Sequence, residues 1–386
     1  MRLAFICSGL EPGRDGVGDF ARTLARHCAA TGHEVRLVSV RDSLSQDRAA
    51  PAADTELRLA DIFRQPAEVR QLAAWLREFQ PDWASVHFTP FGFHPRGLGG
   101  RRAVFLREIL PAKTRRHVML HEIWLQPGRD GELRHRALGW AQKRCVDAWC
   151  GPGWRPEVIH TQARLHQARL QARGFRVELL PLCTNFSPTQ LTREAARASV
   201  ADWLRGKSEK IDDTAVWLGH FGAFHPQGWD FAEFAAKVAA HSNLTGQRAC
   251  FVALGRSTAV AAIFADAAAK VPQADFRVLG ELSEEKVTVA MRACDAAFTS
   301  TPKDIIEKSS AVAAWRALGI PVLVTRAGAT DAEKLPPWPD AGLIDAFESN
   351  FYVPGAGALQ PGPAFLNPET TTRVFLSALI AASTRP

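Results

Sequence analysis

The 386-residue chain lacks any apolar run approaching the 18 or more residues of a membrane-spanning helix. Its opening, Met1-Arg-Leu-Ala-Phe-Ile-Cys-Ser8, is too briefly apolar for a signal peptide and reads instead as a first strand. Cysteine offers no framework. The seven residues, Cys7, Cys28, Cys145, Cys150, Cys183, Cys250 and Cys294, are odd in number, scattered and mostly set in apolar surroundings. Cys145 and Cys150 have no second pair at metal-site spacing, so reduced core thiols and a cytoplasmic protein are expected. A zinc-protease reading of His121-Glu122 fails because Leu125 stands where the second histidine belongs. Nucleic acid is an unsuitable partner, since no binding motif or aromatic-interleaved basic ladder is present.

What is present is an ordinary globular composition, 46% hydrophobic and 23% charged. The length favours two domains over one core. Charge is uneven: residues 1–200 carry 30 Lys+Arg against 20 Asp+Glu, and the remainder 17 against 20. The excess peaks around Arg101, Arg102, Arg107, Lys113, Arg115 and Arg116. Such a face would solubilise the chain, attract a phosphorylated substrate, or permit peripheral contact with an anionic membrane.

The most organised stretch is Ser300 to Thr325, STPKDIIEKSSAVAAWRALGIPVLVT. Asp295–Ser300 is short and apolar, as a buried parallel strand should be. Ser309 and Ser310 are good N-cap types, Ala311–Leu318 is rich in helix formers, and Gly319 and Pro321 stop the helix before the strand Val322–Thr325. Glu307, Lys308, Ser309 and Ser310 therefore fall between a strand's carboxyl end and a helix's amino end, where open α/β sheets bind ligands. The helix dipole and Lys308 suit an anion there.

The first half opens as strand Arg2–Cys7, Gly-rich loop Ser8–Asp19, helix Asp19–Ala30 and strand His33–Val40. The glycines are not spaced G-x-G-x-x-G, and Asp42 lies just past the second strand, which leaves a dinucleotide reading little support. Helix Ala67–Phe79 and strand Trp83–Phe88 lead to the aromatic loop Thr89–Gly97, in which His87, Phe91 and Phe93 are candidate pocket residues. His117–Trp124 reads as a strand presenting His121 and Glu122 at its end. In the second half, Ala215–Gly222, Cys250–Gly255 and Phe276–Ser283 read as further strands, the last leading into a helix capped by Ser283. A Pro/Gly-rich segment from Pro354 to Pro368 precedes a final helix, Thr370–Ala382.

Several of these motifs resemble the retaining GT-B glycosyltransferases, the large family usually numbered four. Gly319-Ile-Pro-Val-Leu-Val-Thr325 is similar to the ending of that family's donor segment. Gly16-Val-Gly-Asp19 with a following helix and Gly32-His-Glu-Val resembles its amino-terminal loop, His121-Glu122 before an aromatic resembles its bacterial members, and Gly280-Glu-Leu-Ser283 resembles its base-holding segment. The chain also departs from the pattern. The family's bracketing glutamates fall on Ile306 and Ala314, with Glu307 one position off. The loop His220–Gly228 lacks the family's basic pair.

The resemblance implies two Rossmann-like domains facing a central cleft: an acceptor domain over 1–188, a nucleotide-sugar domain over 189–371, and a helix 372–386 returning to the first. It implies a metal-independent retaining transferase with no cofactor, its co-substrate being a nucleotide-diphosphate sugar and its acceptor a glycan, lipid-linked or small molecule. His121, Lys308 and Glu307 would be catalytic. Gly16, Val17, Gly18, Gly222, Arg256, Glu281, Leu282, Lys308, Ser309 and Ser310 would hold the donor. Asp19, His87, Phe91, Phe93, Glu122 and Trp124 would meet the acceptor. A degenerate non-catalytic GT-B protein, a sugar-nucleotide epimerase and, more remotely, an NAD enzyme are the rivals.

Overall fold

The computed structural model describes residues 1–43, 55–125, 133–187, 189–205, 214–224, 229–244, 246–328, 340–346 and 362–384. The loop positions 225–228 and most of the Pro/Gly-rich segment lie outside these residues. The chain divides into two compact units, Met1–Asn185 with Pro368–Pro386, and Phe186–Asn367. The final helix, Pro368–Ser383, therefore belongs wholly to the first unit and starts earlier than the sequence suggests.

Among the described residues the first unit holds seven parallel strands: β1 (Arg2–Cys7), β2 (Glu34–Ser39), β3 (Glu56–Arg58), β4 (Trp83–Phe88), β5 (Arg115–Leu120), β6 (Val158–Thr161) and β7 (Glu178–Leu179). Their order is β3-β2-β1-β4-β5-β6-β7, with Phe5 opposite Leu37 on one side and Ser85 on the other. Strands covered on both faces must be apolar throughout, and Leu3–Cys7 and Trp83–Phe88 are buried at every position. Leu72 and Leu76 of one covering helix and Val146 and Trp149 of another join Ile6, Val86 and Leu120 in the core. Each such large apolar side chain contributes about 1.5–3 kcal/mol.

The second unit holds β8 (Val216–Phe221), β9 (Ala249–Leu254), β10 (Ala274–Gly280), β11 (Ala296–Thr299), β12 (Val322–Val324) and β13 (Leu343–Asp345). These are again parallel, in the order β10-β9-β8-β11-β12-β13. One face is filled by an aromatic cluster in which Phe251 stacks on Phe276 at 5.2 Å and Phe231 on Phe298 at 5.6 Å. On the other, Trp315 crosses the strand so closely that a Cβ on Gly219 would lie 2.3 Å from its ring. At the foot of the sheet, buried Asp295 accepts from the Trp217 amide at 2.8 Å and from Arg193 at 2.8 Å, and also pairs with Arg197.

Three local expectations are corrected. The first helix starts at Gly16, not Asp19, because the Asp15 side chain caps it. The loop after β4 contains a helical turn, Pro90–Phe93, started by proline at its first position. The run Val177–Cys183, which also reads as a strand from its sequence, is paired only at Glu178–Leu179, since Pro181 cannot extend the ladder.

Candidate functional site

A doubly wound sheet opens a crevice where strand order reverses, at the carboxyl ends of the strands flanking the reversal. Those places are β1/β4 in the first unit and β8/β11 in the second.

In the second unit, β11 runs into Ser300–Pro302, then a tight 3-10 turn over Lys303–Lys308, then the helix Ser310–Ala317. Ser309 caps this helix, its hydroxyl accepting from the Val312 amide at 3.3 Å and lying 3.5 Å from the Thr301 hydroxyl. Lys308 and Ser310 are half-buried beside it, while Glu307 is buried within the turn. The segment thus brings Lys308, Ser309 and Ser310 to the switch point.

The neighbouring strand ends are drawn in by glycines. Gly222, Gly255 and Gly280 follow or end β8, β9 and β10 with φ of +90°, +92° and +74°, values that side chains rarely adopt. The Gly222 amide donates to Leu254 O at 3.1 Å and the Gly255 amide to Gly280 O at 2.8 Å. Gly222 is therefore a backbone pivot. Arg256 and Glu281 stand on adjacent strand ends and bond to one another at 2.5 Å. Leu282 packs against the second unit's core.

In the first unit, the Asp15 carboxylate accepts from the Val17 and Gly18 amides at 3.0 and 3.3 Å. Burial pushes that carboxyl above its ordinary range, with the two amides opposing the shift. Two amides that a phosphate would use already hold a carboxylate. Gly18 is demanded by packing, since a Cβ there would lie 2.8 Å from Gly9 O. Asp19 accepts from the Gly13 amide at 3.1 Å, and Gly16 is exposed.

The β1/β4 crevice is tightly closed. A Cβ on Gly92 would come within 2.4 Å of both the Ser8 and Thr89 hydroxyls. Arg41 pins the turn by donating to Phe91 O at 3.2 Å and Gly92 O at 2.9 Å. Phe91 is exposed, as an acceptor-lining residue should be, but Phe93 is fully buried and meets the Trp149 ring at 5.2 Å. Its assignment to an acceptor surface is corrected: it is core. His87 is also fully buried, and its Nδ1 lies 3.1 Å from His121 Nε2. His121 follows β5 and packs edge-on to Phe20 at 5.4 Å. Glu122 is half-buried, and Trp124 packs on the first core with Lys143 over its ring at 5.4 Å.

The sequence reading missed a cationic cluster beside this turn. Arg41 and Arg64 both approach Asp61, at 3.9 and 3.7 Å, and Arg102 stacks over Phe63 at 4.0 Å. His94 Nδ1 accepts from the Arg96 and Leu98 amides, each at 3.1 Å, so its ring is neutral with the proton on Nε2. Burial, then Arg102, Arg41, Arg96 and Arg64 in turn, hold the His94 pKa below its ordinary value. The signal was there as Arg41, Arg64, Arg96 and Arg102, but their convergence needed the fold. Among the described residues no helix is long and apolar enough to cross a membrane.

Fold and switch-point geometry define the class: a two-unit α/β protein of GT-B type. Residues 14–148 match the model of the family described as Glycosyltransferase Family 4, and the resemblance read from the motifs is borne out by that match. No curated protein matches the sequence. Among solved structures, the apo lipopolysaccharide outer core galactosyltransferase WaaB superposes with a TM-score of 0.56 and 12% identity, over 99% of each chain. A glycosyltransferase from Rickettsia africae ESF-5 gives 0.52 and 10%, over 99% of this chain and 89% of that one. The UDP-GlcNAc 2-epimerase from Methanocaldococcus jannaschii gives 0.51 and 11%, over 98% and 100%. At these identities the likeness is one of fold. The family match is confined to residues 14–148, in the first unit.

Proposed function

We propose that the protein is a retaining glycosyltransferase that moves a sugar from a nucleotide-diphosphate sugar to a glycan, lipid-linked or small-molecule acceptor, without metal or cofactor. One observation carries the donor assignment: Lys308 and the capped start of helix Ser310–Ala317 stand at the switch point of the second sheet. The helix dipole favours an anion there by about 0.3–1 kcal/mol, and a charge-assisted bond from Lys308 adds about 1.5–3 kcal/mol. The chemical task is to stabilise charge on the departing diphosphate. Val17 and Gly18 are left out of the phosphate-holding set because Asp15 occupies their amides.

The acceptor belongs to the first unit, near Phe91 and the cluster of Arg41, Arg64, Arg96 and Arg102. That much positive charge suits an acceptor bearing phosphate or carboxylate. The same basic unit would supply peripheral contact with an anionic membrane from the cytoplasm. Retention, metal independence and the class of donor are part of this proposal, and the family resemblance is what supports them.

Calorimetric titration with UDP, GDP, ADP, CMP and dTDP tests the donor site. One nucleotide should bind at micromolar Kd, about −8 kcal/mol, and bind much more weakly to Lys308→Ala. Absence of binding by all five would favour a non-catalytic GT-B protein, for which the Arg256–Glu281 pairing is the supporting observation. The shared fold with an epimerase supports a second reading, identified by an altered monosaccharide released without any acceptor.

A further inference from the structure

Beneath the β1/β4 crevice a line of polar side chains joins His121 and His87 to Ser85, His117 and His160, three residues that neither the motifs nor the family match assigns. It runs across three adjacent strands. His121 Nε2 is 3.1 Å from His87 Nδ1, and His87 Nε2 is 3.2 Å from Ser85 Oγ. Ser85 Oγ is 2.7 Å from His117 Nδ1, and His117 Nε2 is 3.0 Å from His160 Nδ1. All five side chains are buried. Phe5, Phe20 and Phe375 pack against the imidazoles, and the Trp154 indole donates to His117 O at 3.1 Å. We infer that His160, His117, Ser85 and His87 form a one-directional hydrogen-bond chain that holds His121 as its Nδ1–H tautomer, a hydrogen-bond donor and not a base.

The direction follows from counting protons. Burial holds the pKa values of His87 and His117 well below the ordinary range and that of His160 at about 4, so these three rings are neutral near pH 7. A neutral imidazole has one N–H and one acceptor nitrogen, and a serine has one O–H. Among the described residues the Ser85 hydroxyl bonds only these two rings, so if it accepted from both, its own buried O–H would have no acceptor; with that form set aside, every link copies the polarity of the one before it, leaving two arrangements. If His121 Nε2–H donates inward, each later link donates onward, and the chain ends with an N–H on His160 Nε2. If His160 Nδ1–H donates, the polarity reverses. His117 Nδ1–H then donates to Ser85, the Ser85 hydroxyl to His87 Nε2, and His87 Nδ1–H to His121 Nε2. His121 must then carry its own proton on Nδ1.

The far end decides between them. His160 Nε2 is buried and has no hydrogen-bond partner among the described residues. A buried orphan N–H is rarer and costlier than a buried lone pair without a donor. The second arrangement leaves only a lone pair at that end. Ser85, His87, His117 and His160 are thus positioning residues, acting on His121 from as far away as β6. An imidazole whose Nε2 is filled and whose Nδ1 bears the proton can donate to a hydroxyl or a developing oxyanion but cannot accept a proton there. The tautomer is a property of the unliganded protein; its catalytic use rests on the glycosyl-transfer reading.

The test is nitrogen NMR on full-length protein labelled with 15N-histidine, at pH 7.5 and without substrate. His121 should show a protonated Nδ1 and an unprotonated Nε2. Ser85→Ala, which removes the hydroxyl link, should release His121 into a mixture of tautomers, and Ser85→Thr should restore the single form. Should Ser85→Ala fail to fold, His160→Gln, whose amide still donates to His117, should keep the Nδ1–H form, whereas His160→Phe should lose it. A protonated Nε2, an imidazolium at this pH, or a tautomer indifferent to Ser85 and His160 would overturn the inference. Given an active assay, the released tautomer should lower kcat about tenfold or more with donor KM unchanged. The NMR arm needs no turnover, so a failed glycosyl-transfer reading and a failed tautomer reading remain distinguishable.

Discussion

The two switch points have the same topology and opposite chemistry. That of the first unit is filled with rings, the neutral His87 with His121 and Phe20, under a turn pressed onto Ser8 by Gly92. That of the second is made of backbone and short polar groups: Gly222, Gly255 and Gly280 in left-handed conformations, Ser309 as a cap, and Lys308. A parallel sheet fixes where a crevice opens, while the residues at its lip decide whether it receives an anion or orients a neutral partner. The cationic groups of the first unit are displaced sideways, onto Arg41, Arg64, Arg96 and Arg102 around His94.

The contrast breaks most visibly at Lys308. Lys308→Ala should lower turnover by about 10²–10³-fold, or roughly 2.7–4 kcal/mol, with the fold intact by circular dichroism; near-normal turnover would remove it from the charged half of the comparison. The uncharged half is tested by acid. His160 has a folded pKa of about 4 against about 6.5 unfolded, so its contribution is complete above pH 6.5 and lost as pH falls toward 4. Denaturant titrations should show on the order of 3 kcal/mol lost over that window, and more if His87 and His117 protonate with it. His160→Phe should flatten the slope.

A smaller effect separates packing from chemistry in the second unit. Gly219→Ala drives a methyl into the Trp315 ring and should cost about 1–3 kcal/mol by chemical denaturation, while leaving the 300–310 segment's residues unchanged. The smallest is expected for Arg256→Ala. Its partner Glu281 is exposed, and such pairs contribute about 0–1 kcal/mol, so stability should hardly move. A large loss of nucleotide affinity in that variant would instead return Arg256 to the donor site.

Legibility followed the range of the interactions. The strand–helix alternation, the Ser309 and Ser283 caps and the stop at Gly319 are local, carried by residues a few positions apart, and the structure agrees with them. The start of the first helix was misplaced by three residues because Asp15 was not recognised as its cap. Phe93 looked available because it sits in a loop of Phe, Gly and Pro, yet one helical turn swings it onto Trp149. Leu133–Cys150, the helix that supplies Trp149, was not read as an element, since its buried stripe, Gly139, Gln142, Val146, Trp149 and Cys150, includes a glycine and a glutamine while the large apolar Leu133 and Trp140 are exposed.

His121 was legible because it ends a strand with a glutamate beside it, whereas Ser85, His117 and His160 were not. Each lies inside or near the start of an apolar strand, where a lone polar residue looks incidental. They gain meaning only because β4, β5 and β6 are parallel neighbours in register, with Ser85 opposite His117 and Met119 opposite His160. Sequence by itself determined the α/β alternation, the two-unit organisation and the segment around Lys308, because propensity, capping and chain stops act over a few residues. Tertiary structure alone decided the line of imidazoles, the crossing of Trp315 over Gly219 and the gathering of four arginines at His94. Those depend on strand order, which sets which distant side chains share one small, dry space.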